Sequence, residues 1–597
     1  MSKRGHGQIR RGQLITTYGP GALIDLPKHS AIVGGLETWP QVSKLEQILE
    51  PRLTRKLQIM TGVVAPNLYA PPAEDSSPGA KPIGIGAYRF PEWFVVQESS
   101  KAEGLGRSRR LVHRKHLDDR GRFEGLPVVA TRFVRACPLG HVDDIEWHRF
   151  VHRDHEACRR QLWLDERGTS GDLSDLTIRC ECKKSRPMSD AVKIEEKPLG
   201  TCSGERPWLG RHAREDCTQP GRLLIRTASN AYFAQALSIL SLPDRGSAVE
   251  TAVADIWDEL QYVDNPADLA YAKKKPRVLD RLSVFQDEEV MKVIAAMKNG
   301  KADEKPVKQV ELDAILAAPE GFGDDMPVDC DFHARRLPEK VWRKTKLSDP
   351  IESVYQLHRL REVMALVGFT RFEAETTDIN GEYDTDVKRA DIAQEPKWFP
   401  AVENRGEGIF LKLRADAISE WLTRPAAKAR VEALEAGHEH WSKDRKVKRP
   451  FPGGPYILLH TLSHLLLQSL AMRCGYPASS IRERIYSDSA GGRFGLLLYT
   501  GSPDADGTLG GLVQEARHLE DHLAYALRLG ALCSNDPICA HHSPGKSIEG
   551  RWLHGAACHG CALVAEPSCE MRNDYLDRGL VVPILGEPNA ALFGAVT

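Results

Sequence analysis

The sequence predicts an α+β, multidomain chain: zinc-braced cysteine-rich segments followed by a mixed helix/strand C-terminal domain. Three observations lead there. At 597 residues the chain exceeds what one compact core supports. Its 13 cysteines fall largely into two patches. Helical and strand-like apolar patterns alternate along the remainder. A hydrophobic content of 41% and a charged content of 27% are those of an ordinary globular protein. The 81 basic residues nearly cancel 82 acidic ones, which excludes a strongly basic tail but not a basic groove.

The pattern divides the chain into four expected domains. Residues 1–84 read as a strand-and-turn segment, punctuated by Gly-Pro-Gly in "GQLITTYGPGALIDLP" and closed by the Pro-rich "APPAEDSSPGAKP". Residues 85–225 are rich in Cys, His, Trp and Arg and poor in helical periodicity, which suits small structure braced by metal. Residues 226–449 read as mainly helical with charged linkers. "RTASNAYFAQALSILSLP" is expected to be a helix capped by Ser229 or Asn230 and stopped by Pro243. "HRLREVMALVGF", His358 to Phe369, reads as an amphipathic helix, and "EGIFLKL" as a strand. Residues 450–597 begin with "YILLHTLSHLLLQSLAM", a buried core helix too interrupted by polar residues to span a membrane. The strand "RFGLLLYT", a Gly-rich turn and the second cysteine patch follow. No secretory signal is visible, so a cytoplasmic, reducing location is expected, where thiolates bind metal more often than they pair.

Four thiolates complete the tetrahedral shell of a zinc ion. Cys558 and Cys561 form a C-x-x-C turn, and Cys539 and Cys569 are its natural partners. Cys533 is a spare candidate, and His541, His542 and His559 are substitutes. A looser second set joins Cys180, Cys182, Cys202 and Cys217. Cys137 with His141, joined by Cys158 and one of His148, His152 or His155, makes a mixed alternative. Closed sites of this kind brace a segment and perform no catalysis.

Enzyme signatures fail on inspection. "AHHSPGKS" has Gly545, Lys546 and Ser547 of a phosphate loop, but Ala540 stands where the first glycine belongs. "HRKHLDDR" approaches a phospholipase D-type nuclease pattern, but Arg120 replaces the required aspartate. Asp190, Glu195, Glu196 and Lys197 have metal-nuclease types at a spacing common in any charged loop. His460 and His464 lie one helical turn apart, yet no glutamate follows His460 to act as base; core histidines bonded to backbone are the preferred reading. The turn "DADGTLGGLV" offers bare N–H groups for a phosphate, with a plain tight turn preferred.

Long ordered stretches then carry a resemblance: "RRGQLITTYGPGALIDL", "CPLGHVDDIEWHRFVH", "RTASNAYF", "RLREVMALVGFTR", "NRGEGIFLKL", "ILLHTLSHLLLQSLAMRCGYPASSIRERIY" and "GAACHGCALVAEPSCEMRNDYLD". Through most of its length the chain resembles the DrmB family of the DISARM bacterial anti-phage defence system. Its C-terminal part is similar to a domain of unknown function also fused behind helicase cores, whose four-cysteine pattern matches Cys539, Cys558, Cys561 and Cys569. The one departure is "CEC" at Cys180–Cys182, tighter than the usual C-x-x-C.

The resemblance implies a non-catalytic accessory subunit that associates with a superfamily 2 helicase, DrmA-like, and helps it bind DNA without regard to sequence. It implies structural Zn²⁺ and no membrane. Expected phosphate contacts are Arg132, Arg135, Arg359, Arg361, Arg482 and Arg484, with Trp147, Trp208 and Tyr232 weighed as stacking platforms against core aromatics. The alternatives are a protein scaffold without DNA contact and a metal-dependent nuclease around Asp190, Glu195 and Lys197.

Overall fold

A computed structural model describes residues 8–595 except 27–28, 74–82, 99, 102–105, 154–157, 169–170, 243–248, 250–251, 254–255, 299–304, 324–326, 328–329, 375–376, 384–387, 446, 502–510 and 547–549. Helices and strands are both abundant, and the fold is α+β. The Gly-rich turn and His155 lie at or within the segments outside the described residues.

The backbone of the molecule is an eight-stranded sheet. Its central path runs Phe233–Leu240, Ile351–Thr370, Trp398–Leu413, Arg493–Thr500 and Ile481–Asp488, every neighbour antiparallel. His333–Arg336 pairs alongside Ile351–Thr370, and Asn67–Tyr69 joins Trp398–Leu413 in parallel with Gln47–Ile48 at its side. Both faces are covered. Ile409, Leu411, Ile485, Leu496 and Leu498 pack into the core around helix Gly454–Cys474. The alternate residues Phe410, Tyr486, Leu497 and Tyr499 pack on the opposite side with Leu312 and Ile315. Burial on both faces makes these strands near-continuous apolar runs.

This arrangement corrects two expectations. "FAQALSIL" and "HRLREVMALVGF" are strands, not helices: the first is Phe233–Leu240 and the second lies within the 20-residue strand Ile351–Thr370. A strand buried on both faces loses period-2 alternation, so its apolar residues recur at spacings that also suit a helix. "EGIFLKL" and "RFGLLLYT" are strands, and "YILLHTLSHLLLQSLAM" is the core of a buried helix, as expected. Within the region 226–449, expected to be mainly helical, five helices do lie between Trp257 and Leu316. The sheet takes strands from both sides of residue 450, so the boundary expected there runs through one layer.

The region 85–225 builds a second sheet, ordered Ser185–Pro187, Leu176–Cys180, Leu162–Arg167, Gly106–His113, Trp93–Val96 and Val128–Ala130. The short helix Trp147–His152 closes its core through Trp147, Phe150 and Val151. A three-stranded sheet, Val142–Asp143, Phe133–Ala136 and Arg222–Ile225, lies beside it. Cys137 follows Phe133–Ala136, and Cys180 ends Leu176–Cys180, so strand ends present a ligand to each of two clusters.

Candidate metal centres

Among the described residues, three cysteine-dominated groups each gather four ligand atoms within 4.8 Å of one another. In the first, "CPLGH" folds into a turn closed by Cys137 N–H donating to His141 O at 3.1 Å and Gly140 N–H to Cys137 O at 3.1 Å. Gly140 takes φ of +90°, and a Cβ there would sit 2.4 Å from the Ala390 Cβ, so glycine is required twice over. The turn sets Cys137 Sγ 3.3 Å from His141 Nδ1 and 4.0 Å from Cys217 Sγ, and Cys202 completes the group. His141 Nε2 lies 2.7 Å from a Glu215 carboxylate oxygen. A carboxylate behind a ligating imidazole fixes its tautomer and raises its basicity.

The second group joins His152, Cys158, Cys180 and Cys182. Cys158 and Cys180 are 3.7 Å apart, and His152 Nε2 is 3.2 Å from Cys182 Sγ. His152 Nδ1 donates to the His148 carbonyl at 2.7 Å, which leaves the Nε2 lone pair facing the sulfurs. The Lys184 backbone N–H and then His152 draw the Cys182 thiol down to about 6.

The third group is Cys533, Cys539, Cys558 and Cys561. Sulfur separations are 3.4 Å for Cys533–Cys558, 3.8 Å for Cys539–Cys561 and 3.7 Å for Cys558–Cys561. Zn–S bonds of about 2.3 Å in a tetrahedron place sulfurs about 3.8 Å apart, so the spacing suits one ion. Backbone N–H groups of Asn535 and Gly560 point at Cys533 and Cys558, at 3.4 and 3.3 Å. Burial alone would raise the Cys558 thiol; the Asn535 amide, Cys533 and the Gly560 N–H bring it to about 7. N–H groups aimed at sulfur favour the thiolate, the form that binds metal.

The sequence-based grouping is redrawn in both patches. Cys539, Cys558 and Cys561 come together, but Cys533 is their fourth member; Cys569 lies instead 3.1 Å from His460 Nε2. Cys180 and Cys182 do not meet Cys202 and Cys217: each pair joins a different Cys/His pair from residues 137–158. The expected mixed site likewise splits, with His141 and His152 serving separate groups and His148 bonded to the Arg160 carbonyl. His542 is bonded to the Arg551 carbonyl.

Four of the six arginines expected to meet phosphates are internal ion-pair partners. Arg135 lies 2.7 Å from Asp143 and is 3% exposed. Arg361 holds Glu50 and Glu403, Arg482 holds Glu362 at 2.8 Å, and Arg484 holds Glu311 at 2.6 Å. Buried sheet surface demands partners for its charges, and these arginines are spent on carboxylates. Arg132 is exposed, with its guanidinium over Phe133 and donating to Gly171 O; Arg359 is half-buried. Trp147 and Trp208 are core residues at 1% and 0% exposure, and Tyr232 stacks on Phe369. Asp190 is held by Arg186 at 3.1 Å and Lys193 at 2.8 Å, which occupies the carboxylate a metal nuclease would need.

Fold and sites together define a chain of mixed sheets and helices whose irregular segments are organised around sulfur-rich clusters. Residues 10–233 match a domain family of unknown function (DUF8724), and residues 462–562 match the MrfA Zn-binding domain. Across 480 residues the chain is 31% identical to the DISARM protein DrmB of Bacillus paralicheniformis, covering 77% of this chain and 82% of that protein. The chain belongs to the DrmB family of DISARM proteins. Its cofactor is structural zinc, and the donor sets fit it: sulfur and imidazole, tetrahedrally spaced. Among the described residues, no helix is long and apolar enough to cross a membrane.

Proposed function

We propose that this DISARM protein is a non-catalytic accessory subunit that docks on a superfamily 2 helicase and helps it hold DNA. The observation that carries the reading is membership of the DrmB family together with a zinc-binding domain matched across residues 462–562. Three of the clusters are complete four-donor sets dominated by sulfur, the pattern of zinc sites that brace rather than catalyse. The phosphate-loop resemblance lacks its first glycine at Ala540, so the motor belongs to the partner.

Phosphate contact falls to residues other than the buried arginines. Arg132 and Arg359 remain from the expected set. Exposed Lys115 and Arg159 approach His148 closely enough to disfavour its protonated form, after burial itself. Like charges brought together at a surface suit a phosphate backbone.

The test is an affinity pull-down of tagged protein from its host, with mass spectrometry of what is retained. A large helicase at comparable abundance supports the reading; recovery of this chain alone sinks it. With the complex in hand, DNA affinity should fall linearly in log–log fashion with salt. The charge reversals R132E, R359E, K115E and R159E, combined, should flatten that slope; an unchanged slope assigns the DNA contacts wholly to the partner.

A further inference from the structure

A fourth cluster lies in the centre of the C-terminal core, away from the cysteine-rich turns. His460 and His464 project from one face of helix Gly454–Cys474, Glu483 from strand Ile481–Asp488, and Cys569 from the loop beyond the third group. One ligand atom from each lies within 4.8 Å of all the others. His460 Nε2 is 3.1 Å from Cys569 Sγ and 2.9 Å from a Glu483 oxygen; His464 Nε2 is 3.3 Å from that same oxygen. Both histidines are 0% exposed, Glu483 4% and Cys569 7%.

The surrounding hydrogen bonds fix what each group presents to the centre. His460 Nδ1 faces the Tyr575 carbonyl at 3.2 Å and His464 Nδ1 the Ala562 carbonyl at 2.8 Å. A carbonyl only accepts, so both Nδ1 atoms carry a proton, and each ring turns its Nε2 inward. Cys569 Sγ accepts N–H groups from Asn573 at 3.1 Å and Met571 at 3.4 Å, which aim its sulfur at the centre; burial and the Glu483 carboxylate outweigh them and push the thiol up, an opposition that a cation beside the sulfur would relieve. Glu483 accepts the Ser463 hydroxyl and the Glu570 N–H at 3.2 Å, which holds its carboxylate in place. Two Nε2 atoms, a sulfur and a carboxylate therefore converge on one point. Four ligand atoms gathered out of water, each within reach of the others, are satisfied together by one cation placed between them. A divalent ion neutralises one thiolate and one carboxylate with no charge left over.

We propose that His460, His464, Glu483 and Cys569 bind a further structural metal ion, with zinc as the chemistry that suits this donor set. Mixed nitrogen, sulfur and oxygen ligation at tetrahedral number is zinc's habit, while calcium and magnesium take all-oxygen shells. The two inward-facing Nε2 atoms and their carbonyl-bonded Nδ1 partners reproduce the outer-shell pattern of ligating histidines. The ion ties helix, strand and loop at one point. It also touches the third group through the chain, because His464 donates to Ala562, the residue after Cys561, and Gln468 donates to the Cys561 carbonyl at 3.0 Å.

The experiment is a metal count by inductively coupled plasma mass spectrometry on the full-length protein. The wild type should carry four zinc ions per chain, against three if only the cysteine-dominated groups are filled. The H464A/C569A double variant should lose one ion and C558S a different one, so that the triple variant loses two. X-ray absorption on wild type minus the double variant should show a site with one sulfur and three lighter ligands. Three ions in the wild type, or an undiminished count in H464A/C569A, overturns the proposal. Where the double variant fails to fold, the wild-type count decides by itself.

Discussion

Arg371 shows how much one side chain holds. It is 0% exposed, donates to the carbonyls of Gly21, Gly140 and Ala231, and lies over the rings of Phe369 and Trp208. Burial lowers its pKa to about 10, opposed by Tyr232 and by Cys137. The Gly140 carbonyl belongs to the turn that presents Cys137 and His141, so this guanidinium braces the first metal group from behind. Replacing it with leucine orphans three carbonyls at about 1–3 kcal/mol each, and R371L should lower the thermal midpoint sharply. R371K should recover only part of the loss, because an ammonium cannot reproduce the planar fork. A different outcome is expected from the internal ion pairs. R484M leaves Glu311 charged and buried and should cost about 3–5 kcal/mol in urea unfolding, much of it regained in R484M/E311M. If Arg484 contacted DNA instead, that double variant would stay stable yet lose affinity in the helicase complex.

At the scale of elements, the long strands carry both the surprises and a pH dependence. Glu362 sits mid-strand between Arg482 at 2.8 Å, Asn404 at 2.8 Å and Tyr499 at 2.9 Å. Burial alone would raise its pKa, but Arg482, Asn404 and Arg484 outweigh it and hold it below the usual carboxylate range. A carboxyl depressed in the folded state stabilises fully above its unfolded value of about 4.3, and that stability drains away as pH falls through the folded value. The urea midpoint should therefore drop on acidification below about pH 4, and E362Q should show a shallower drop. The same residues explain what the sequence hid. Arg361 and Glu362 inside "HRLREVMALVGF" look like the wet face of a helix until Glu50, Glu403 and Arg482, distant in the chain, arrive as partners. Where one strand or helix has a self-contained pattern, as in "RFGLLLYT" or "YILLHTLSHLLLQSLAM", the element was legible. Cysteine spacing likewise announced that metal groups exist, and even three of the four members of one. It could not say that the chain interleaves them, because the choice between Cys533 and Cys569 is made by which way two loops face. His460 and His464 satisfied the backbone-bonded reading with their Nδ1 atoms while their Nε2 atoms met Glu483, and no local spacing reveals a glutamate on the neighbouring strand.

For the whole molecule, the metal groups and the sheet make one stability problem. The region 85–225 holds only a modest apolar cluster of its own beside two metal groups, so zinc should supply folding free energy there. Chelation should release zinc and lose structure in stages. Half-buried Cys182 and Cys533 belong to groups that should empty before any ion held by the fully buried His460 and His464. Circular dichroism recorded alongside a chromogenic zinc indicator checks this order; simultaneous loss of all ions with one unfolding transition would contradict it.

The strand order has a consequence for how the chain is made. The central pair Ile351–Thr370 and Trp398–Leu413 waits for Arg493–Thr500 and Ile481–Asp488, and the covering helix Gly454–Cys474 lies between them in sequence. During translation, an apolar strand edge and an uncovered sheet face therefore stay open until about a hundred further residues have emerged, and nascent chains of that length are the aggregation-prone species. A ribosome stalled or terminated near residue 450 leaves a product that cannot bury its own sheet, so such fragments should partition into the insoluble fraction while the full-length chain does not.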